Sequence, residues 1–406
     1  MRIGIVTVWF ERGAAYVSRQ YCNSLSQKHD VFIYARGGES YATGDPVWDN
    51  DRVTWGRPSV IPIHSAIDLK DFKKWLEREK IDIVFFNEQR WWDPVILCNQ
   101  MGLLTGAYVD YYTEETAPLF NNYDFLICNT KRHHSVFRWH PQCFYIPWGT
   151  EPEIFKSRTF DAVSPEMITF FHSAGMNPKR KGTGPVLEAF SEIKDKARLV
   201  IHSQKKIREE FPDFKPKIDS MEQSGRLKCY ENTVPAPGLY HMGDVYLYPS
   251  TLEGIGLTIA EAMACGLPVI TSDNPPMNEF VQHGENGRLV KIDSFVSRAD
   301  GYYWPQCLVN RNDLRFHMEW YVENFYRIPE LKRQAREYAE QNLSWTSNSG
   351  SLAELFSSVR KRPQTDLTVA ARKAMEFEQK RQPEFARLVK PARYLINYLK
   401  KLKPKN

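Results

Sequence analysis

The sequence predicts an α/β protein made of two consecutive, doubly wound parallel-sheet domains, and three observations carry that expectation. Short β-type runs alternate with helical patterns along most of the chain. The alternation breaks at "PWGTEPEIFKSRTFDAVSPEM", residues 147–167, and then resumes. The length of 406 residues allows two or three domains, each large enough for its own core.

Ile3–Val8 reads as a buried strand, followed by a turn at Gly13 and a helix over 14–26. That helix carries Val17, Tyr21 and Leu25 at spacings of four. Further strands are expected at Val31–Tyr34, Ile81–Phe86, Gly106–Val109, Phe125–Cys128 and Cys143–Ile146, with helices at Leu69–Glu79 and Asp93–Met101. The second series is predicted at Ile168–His172, Leu199–His202, Leu227–Tyr230, Val245–Tyr248 and Val269–Thr271. Helices over Asp313–Phe325, Pro329–Gln341 and Thr346–Arg360 follow it. The expected organisation is an N-terminal domain over 1–150, a linker over 151–165, a second domain over 166–345, a crossover helix over 346–362 and a tail over 363–406. In such sheets ligands gather beyond the carboxyl ends of the strands, so two of them in succession imply a cleft between domains.

Composition narrows the class further. Hydrophobic residues at 42% and charged residues at 25% are ordinary for a globular chain. No apolar run approaches the ~20 residues that cross a bilayer. The opening MRIGIVTVWF reads as a strand with no small-residue cleavage site after it, so nothing indicates secretion. Seven scattered cysteines, none paired at metal spacing, predict reduced thiols and a cytoplasmic location. The net charge of +5 is uneven: residues 360–406 hold 14 Lys/Arg against 4 Asp/Glu, which leaves the rest of the chain acidic. Leu388, Leu395, Leu399 and Leu402 recur in that tail with Lys and Arg between them. Such a basic amphipathic helix suits an anionic membrane surface at the inner face of the membrane; a solvated helix, or one packed on the first domain, fits the same pattern. Nucleic acid is not an expected partner, because the body is acidic and no binding motif occurs.

The segment with the strongest chemical signal is "LEGIGLTIAEAMACGLPVIT", Leu252–Thr271. Gly254 and Gly256 tolerate positive φ and let a ligand approach the backbone. A helix starting near Gly256 would turn unpaired N–H groups and its positive end toward that ligand. Glu253 and Glu261 lie eight residues apart, roughly 12 Å along a helix. That exceeds the ~5–9.5 Å between glycosidase carboxyls, so a hydrolytic pair is excluded. Two readings remain from these residues alone: two grips on one extended hydroxyl-bearing ligand, or a helix N-terminal acid plus a surface acid. No Ser/His/Asp order, nucleophile elbow, phosphate-binding Walker loop, Cys/His cluster or strand-end Asp-x-Asp is present.

The wider stretch "DVYLYPSTLEGIGLTIAEAMACGLPVITSDNPPMNEFVQHGENGRLV" closely resembles the donor-binding segment of the family 4 retaining glycosyltransferases (glycosyl transferases group 1). Shared features include Pro-Ser at a strand end, Glu-Gly-x-Gly, the second Glu, Ala-Met-Ala-Cys-Gly, Pro-Val and Gly-x-Asn-Gly, with Ile255 for the usual Phe. "YIPWGTEPEIF", "NPKRKGTGPVLEAFSEI" and "NLSWTSNSGSLAELF" resemble further landmarks of that family in the same order. The resemblance implies the GT-B fold: two doubly wound Rossmann-like domains facing a central cleft, with a C-terminal helix returning to the first.

The resemblance also implies roles. Lys181 would contact the donor diphosphate, Glu261 the ribose hydroxyls and Glu253 a hydroxyl of the transferred sugar. Backbone groups of Gly254, Ile255, Gly256 and Leu257 would meet sugar and phosphate, and Glu279 would lie near the sugar end or serve as a helix N-terminal acid. The family usually places an Arg five or six residues before this Lys, where Gly175 and Met176 stand here. Either Arg180 or Lys179 substitutes, or the phosphate site is weaker. In the first domain Gly13 would admit donor phosphate or acceptor. Asp110, where related enzymes often carry His, would act on the acceptor side or cap a helix. The loop "NEQRWWD", Asn87–Asp93, would stack on an acceptor sugar or pack in an interface, while His133 and His134 read as a solvated helix start. Lys291–Cys307 would line the sugar pocket or pack beneath the sheet.

The implied function is metal-independent, cofactor-free transfer of a sugar, with retention. The donor would be a nucleotide-diphosphate sugar, UDP ahead of GDP, and the acceptor a hydroxyl of a saccharide or lipid-linked molecule. A nucleotide-sugar epimerase of the same fold and a non-catalytic nucleotide-sugar-binding protein are the alternatives.

Overall fold

The computed structural model describes residues 1–36, 41–59, 61, 63–156, 167–193 and 196–381. The chain forms two compact units: Met1–Cys128, His133–Tyr145 and Gly350 onward make the first, and Asn129–Arg132 with Ile146–Ser349 the second.

The first unit is a seven-stranded sheet. Its strands are β1 (Arg2–Thr7), β2 (Asp30–Ala35), β3 (Val53–Trp55), β4 (Ile83–Phe86), β5 (Leu104–Tyr108), β6 (Phe125–Cys128) and β7 (Cys143–Tyr145). They lie in the order β3-β2-β1-β4-β5-β6-β7, every pair parallel. Such a sheet is covered on both faces, which is why β1, β4 and β6 are runs of apolar residues without alternation. The switch in strand order falls between β1 and β4, where chain segments leave in opposite directions. Helices α1 (Gly13–Leu25), α2 (Leu69–Arg78), α3 (Asp93–Gln100) and α4 (Lys131–Phe137) connect the strands. Asp68 caps α2 by accepting from the N–H groups of Lys70 and Asp71 at 3.0 and 3.1 Å. The three-residue edge strand β3 was not anticipated, because so short a run carries no period.

The second unit repeats the plan. Its strands β8 (Ile168–Gly175), β9 (Ala197–Ser203), β10 (Leu227–Glu231), β11 (Val245–Tyr248), β12 (Val269–Ser272) and β13 (Gly287–Val290) are ordered β10-β9-β8-β11-β12-β13. The switch point therefore lies between β8 and β11. An antiparallel hairpin, β14 (Ile292–Val296) with β15 (Gln306–Val309), follows the sheet. Helices α5 (Thr183–Glu192), α6 (Ile207–Glu210), α7 (Lys215–Gln223), α8 (Leu257–Ala264), α9 (Arg311–Glu323) and α10 (Ile328–Asn342) cover it. Val186, Leu187 and Phe190 of α5 meet Phe170, Leu199 and Leu247 of the strands in one buried core with Leu314 and Met318 of α9.

The single helix expected over 346–360 is instead two short ones, α11 (Trp345–Asn348) and α12 (Leu352–Ser358). The Ser349-Gly350-Ser351 stretch between them is a poor helix former. Phe356 of α12 packs on Phe85 and Phe125 of the first unit, ring centroids 5.3 and 5.1 Å away. Residues 364–381, which the sequence places in the basic tail, are helical and buried along one side at Leu367, Ala370 and Ala374. Their spacing of three and four residues is that of one helix face. Leu388, Leu395, Leu399 and Leu402 lie outside the described residues. Among the described residues, no helix is long and apolar enough to cross a membrane.

Candidate active site

The second unit gathers most of the predicted residues at the carboxyl ends of β8 and β11. Lys181 precedes α5 in a tight turn that needs glycine at the next position. Gly182 has φ of +80°, and a Cβ there would sit 2.1 Å from the Pro249 carbonyl oxygen. This close approach presses Lys181 against the end of β11. Its Nζ donates to Glu253 Oε1 at 2.8 Å and to the Tyr248 hydroxyl, and lies 4.8 Å from the centre of the Tyr248 ring.

Glu253 is held from three sides. Arg180 Nη1 lies 3.2 Å from Oε1, and Ser250 Oγ donates to the same oxygen at 2.5 Å. All these contacts converge on Oε1, and Oε2 makes no hydrogen bond among the described residues. Burial alone would raise the Glu253 pKa, yet Arg180 and Lys181 outweigh it and bring the carboxyl down to about 2. Lys181 moves the other way, to about 8, because burial and the neighbouring Arg180 outweigh the attraction of Glu253. The pair is charged at neutral pH and largely buried.

The Ser250-Thr251 turn that delivers Glu253 is itself bonded firmly. Thr251 N donates to Arg180 O at 2.8 Å, and Ser272 Oγ to Ser250 O at 2.7 Å. Beyond it Gly256, with φ of +93°, forms the N-cap of α8. The N–H groups of Ile255, Gly256 and Leu257 make no hydrogen bond among the described residues. Three free amides at a helix N-terminus, two to four residues after the Glu253 that pairs with Lys181, form a cradle for an anion or for hydroxyl oxygens. Glu261, one turn into α8, accepts from the Tyr240 hydroxyl at 2.6 Å. Burial raises its pKa, against this bond and Lys181. Glu279 accepts from the backbone N–H groups of Lys131 and Arg132 at 2.6 and 2.8 Å.

Met176 is exposed, at 67%, and Arg180 is the second cation at Glu253. Among the described residues, no group of three or more His, Cys, Asp and Glu is placed to hold a metal ion.

In the first unit Gly13 is exposed at the start of α1. Asp110 follows β5 and shares a charged cluster with Glu88, Arg36 and Arg90. Burial first, and the nearby Glu88 second, raise its pKa to about 7, against the pull of Arg90 and Arg36. Glu88, at φ of +53°, has Arg12 and Arg36 guanidinium nitrogens at 3.7 and 3.9 Å.

One expectation for this unit is corrected and one open alternative is narrowed. His133 is fully buried, its Nδ1 2.9 Å from the Tyr112 hydroxyl, because the first turn of α4 faces the core. Trp91 and Trp92 are also buried, and Trp92 packs on Phe120 and Tyr123 at 5.6 and 5.8 Å. The Trp92 ring is spent inside the unit, and neither ring is exposed for stacking on a sugar.

Sequence reasoning missed Tyr248, Tyr240, Ser250 and Glu88. Ser250 lay within the quoted motif, three residues before Glu253. Tyr240 had no local signal, since twenty-one residues separate it from Glu261.

The family model "Glycosyl transferases group 1" matches residues 168–300, the stretch that carries Lys181, Glu253 and Glu261. Alpha-monoglucosyldiacylglycerol synthase of Acholeplasma laidlawii is 36% identical over 115 residues, covering 27% of this chain and 28% of its own. For the first three curated relatives the matched part spans 28%, 38% and 60% of their length. Among solved structures, sucrose-phosphate synthase from Thermosynechococcus elongatus superposes with a TM-score of 0.67 at 17% identity, covering 88% of this chain and 98% of that one. HepE of Anabaena in complex with UDP-glucose gives 0.67 at 14% identity, covering 88% and 100%. The two parallel-sheet units thus correspond to the two Rossmann-like domains of a GT-B fold, and residues 168–300 are similar to the group 1 glycosyltransferases.

Proposed function

We propose that the protein transfers a sugar, with retention and without a metal, from a UDP-sugar to a hydroxyl of a saccharide or lipid-linked acceptor. The observation that carries this reading is the buried Lys181–Glu253 pair beside three free amides at the start of α8. A fixed cation set against a helix N-terminus suits the negative charge that develops on a departing diphosphate. In this assignment Lys181, Arg180 and the amides of Ile255, Gly256 and Leu257 receive the diphosphate. Glu253 Oε2 accepts from a sugar hydroxyl, and Glu261 with Tyr240 takes the ribose. Gly254 lets the donor approach the backbone, and Glu279 serves the sugar end.

In the transfer step the bond from the anomeric carbon to the diphosphate oxygen breaks, and its electron pair leaves on the diphosphate. The acceptor oxygen bonds to the same face of the anomeric carbon, and its proton passes to the diphosphate. The chain contributes charge stabilisation of the leaving group and exclusion of water. Asp110 and Gly13 are assigned to the acceptor and donor sides of the first unit. The UDP carrier is favoured because HepE, a neighbour in fold, binds UDP-glucose. A lipid-linked acceptor is favoured by the diacylglycerol-based product named for the Acholeplasma relative and by the basic sequence beyond residue 381. That same segment is assigned to an anionic membrane surface on the cytoplasmic side.

The test is thermal stabilisation by UDP- and GDP-sugars, followed by nucleotide release with saccharide and lipid acceptors and NMR of the product anomer. UDP-sugars are expected to stabilise the protein and release UDP only when acceptor is present. Stabilisation by GDP-sugars alone would replace the carrier, and an inverted anomer would remove retention.

A further inference from the structure

The loop after β4, at the switch point of the first sheet, keeps a cation that has no part in the donor site. Trp91 and Trp92 of this loop are buried, whereas Arg90 is only half-buried. The Arg90 guanidinium lies over the Tyr111 ring, 3.5 Å from the ring centre. Tyr111 follows β5, the strand paired with β4, so two neighbouring loops hold the stack together. The Arg90 side chain donates no hydrogen bond and joins no ion pair among the described residues, and its Nε is buried without an acceptor. The acid two positions earlier does not serve it: Glu88 has Arg12 and Arg36 beside it, at 3.7 and 3.9 Å. Asp110 feels the charge of Arg90 without pairing with it.

The loop is held in place against its own backbone preferences. Glu88 has φ of +53° and Ser65 φ of +67°, both left-handed and neither a glycine. Ser65 seats the arginine: its Oγ accepts from Arg90 N at 2.7 Å, and its carbonyl accepts from Gln89 Nε2 at 3.1 Å. Arg381 Nη1 donates to the Arg90 carbonyl at 3.3 Å, and Glu378 accepts from Trp92 N. Backbone strain of this kind persists only where the surroundings over-determine it, and it gathers at ligand sites. A guanidinium stacked on a ring keeps its full charge and a fixed plane. Its edge matches two oxygens of a phosphate or carboxylate through parallel charge-assisted bonds. A half-buried cation without a counter-ion gains most from an anion that arrives with a ligand.

We propose that Arg90 is the acceptor-recognition residue of the first unit, and that the acceptor is an anionic molecule bound there through a phosphate or carboxylate. This rests on the transferase reading, which assigns the acceptor to the first unit. Arg90 binds the anion directly. Tyr111 holds the guanidinium flat and is a positioning residue.

Calorimetry on the full chain tests UDP, methyl glucoside, glucose 6-phosphate, glucuronate and dihexanoylphosphatidic acid as separate ligands. The set distinguishes a neutral sugar from a sugar phosphate, a sugar carboxylate and a lipid phosphate. At least one anion is expected to bind about tenfold more tightly than methyl glucoside. Arg90→Gln should weaken that anion about tenfold, the scale of one charged hydrogen bond. Arg90→Lys keeps the charge without the fork and should lose less. UDP affinity should stay within about twofold in both variants, which also shows that they are folded. Arg57→Gln removes an exposed arginine of the same unit and should leave anion binding unchanged. With UDP still bound, anions that bind no better than methyl glucoside, or equally well to Arg90→Gln, overturn the inference alone. An equal loss in Arg57→Gln reduces the effect to unspecific charge, and a matching loss of UDP moves Arg90 to the donor; both overturn it. Anion binding through Arg90 in a protein that binds no UDP removes the transferase reading, and the acceptor role of Arg90 falls with it.

Discussion

The two units share one topology and use opposite electrostatics at the carboxyl ends of their strands. In the second unit a buried carboxyl, Glu253, meets two cations and is driven down to about 2. In the first, Asp110 is buried beside a second acid, Glu88, and is driven up to about 7. The same kind of sheet thus holds one acid permanently charged and leaves the other near its titration point in neutral solution. The difference lies in which residues the loops bring: Lys181 and Arg180 come from one turn packed on β11, whereas Glu88 and Asp110 come from loops after neighbouring strands. A charged, paired group suits the binding of a fixed polar ligand. A group that can gain or lose a proton suits a step in which protons move.

The comparison breaks most visibly at Lys181. Lys181→Ala leaves Glu253 buried with its nearer cation gone, and a cost of about 3 kcal/mol in folding stability is expected. UDP-sugar turnover should fall about a hundredfold or more, as when one fixed donor at a developing charge is removed. Denaturant unfolding and UDP release measure the two losses, and an active, fully stable variant would reduce the pair to a surface contact. Next in size is Glu261→Ala, expected to weaken UDP binding about tenfold. Tyr240→Phe should show a smaller part of that loss, because the carboxylate remains. If both variants bind UDP as the parent does, the ribose assignment is wrong.

The first unit is tested through pH. The Asp110 pKa is higher folded than unfolded, so its contribution to stability is fully present below about 4 and is lost as pH rises through about 7. Glu253 behaves oppositely: its contribution is present above its unfolded value of 4.5 and is lost only as pH falls toward about 2. Melting of Asp110→Asn followed from pH 5 to pH 8 should therefore gain on the parent as pH rises, while the melting difference for Glu253→Gln stays flat. A flat Asp110→Asn difference would erase the contrast between the units. The smallest expected effect is at Glu378, whose buried carboxylate accepts from Trp92 N–H at 3.1 Å. Glu378→Ala should cost about 1–2 kcal/mol by leaving that amide buried without an acceptor. Cleavage by protease after residues 364–381 should rise in parallel if this bond seats the helix.

Much of this was legible from local pattern. The parallel strands appear as apolar runs and the second-unit site as glycines and acids at fixed spacing, because both depend on neighbours a few residues apart. What escaped had long-range causes. Trp91 and Trp92 follow a strand end in sequence, which left ligand stacking and packing both open, and the fold buries both, Trp92 against Phe120 and Tyr123. His133 begins a helix among basic residues, and only the fold shows that its ring meets Tyr112. Residues 364–381 share their composition with the basic sequence after them, so charge alone hid a packed helix.

What the sequence determined by itself was the plan of two doubly wound sheets and the motif at Glu253 and Glu261, since strand runs, glycine turns and helix starts are encoded locally. The tertiary structure alone decided which oxygen of Glu253 is occupied, that Arg180 supplies the second cation, and that Asp110 lies beside Glu88. Those depend on side chains brought together from distant positions, where burial and Coulomb attraction act over a few ångströms of space regardless of separation along the chain.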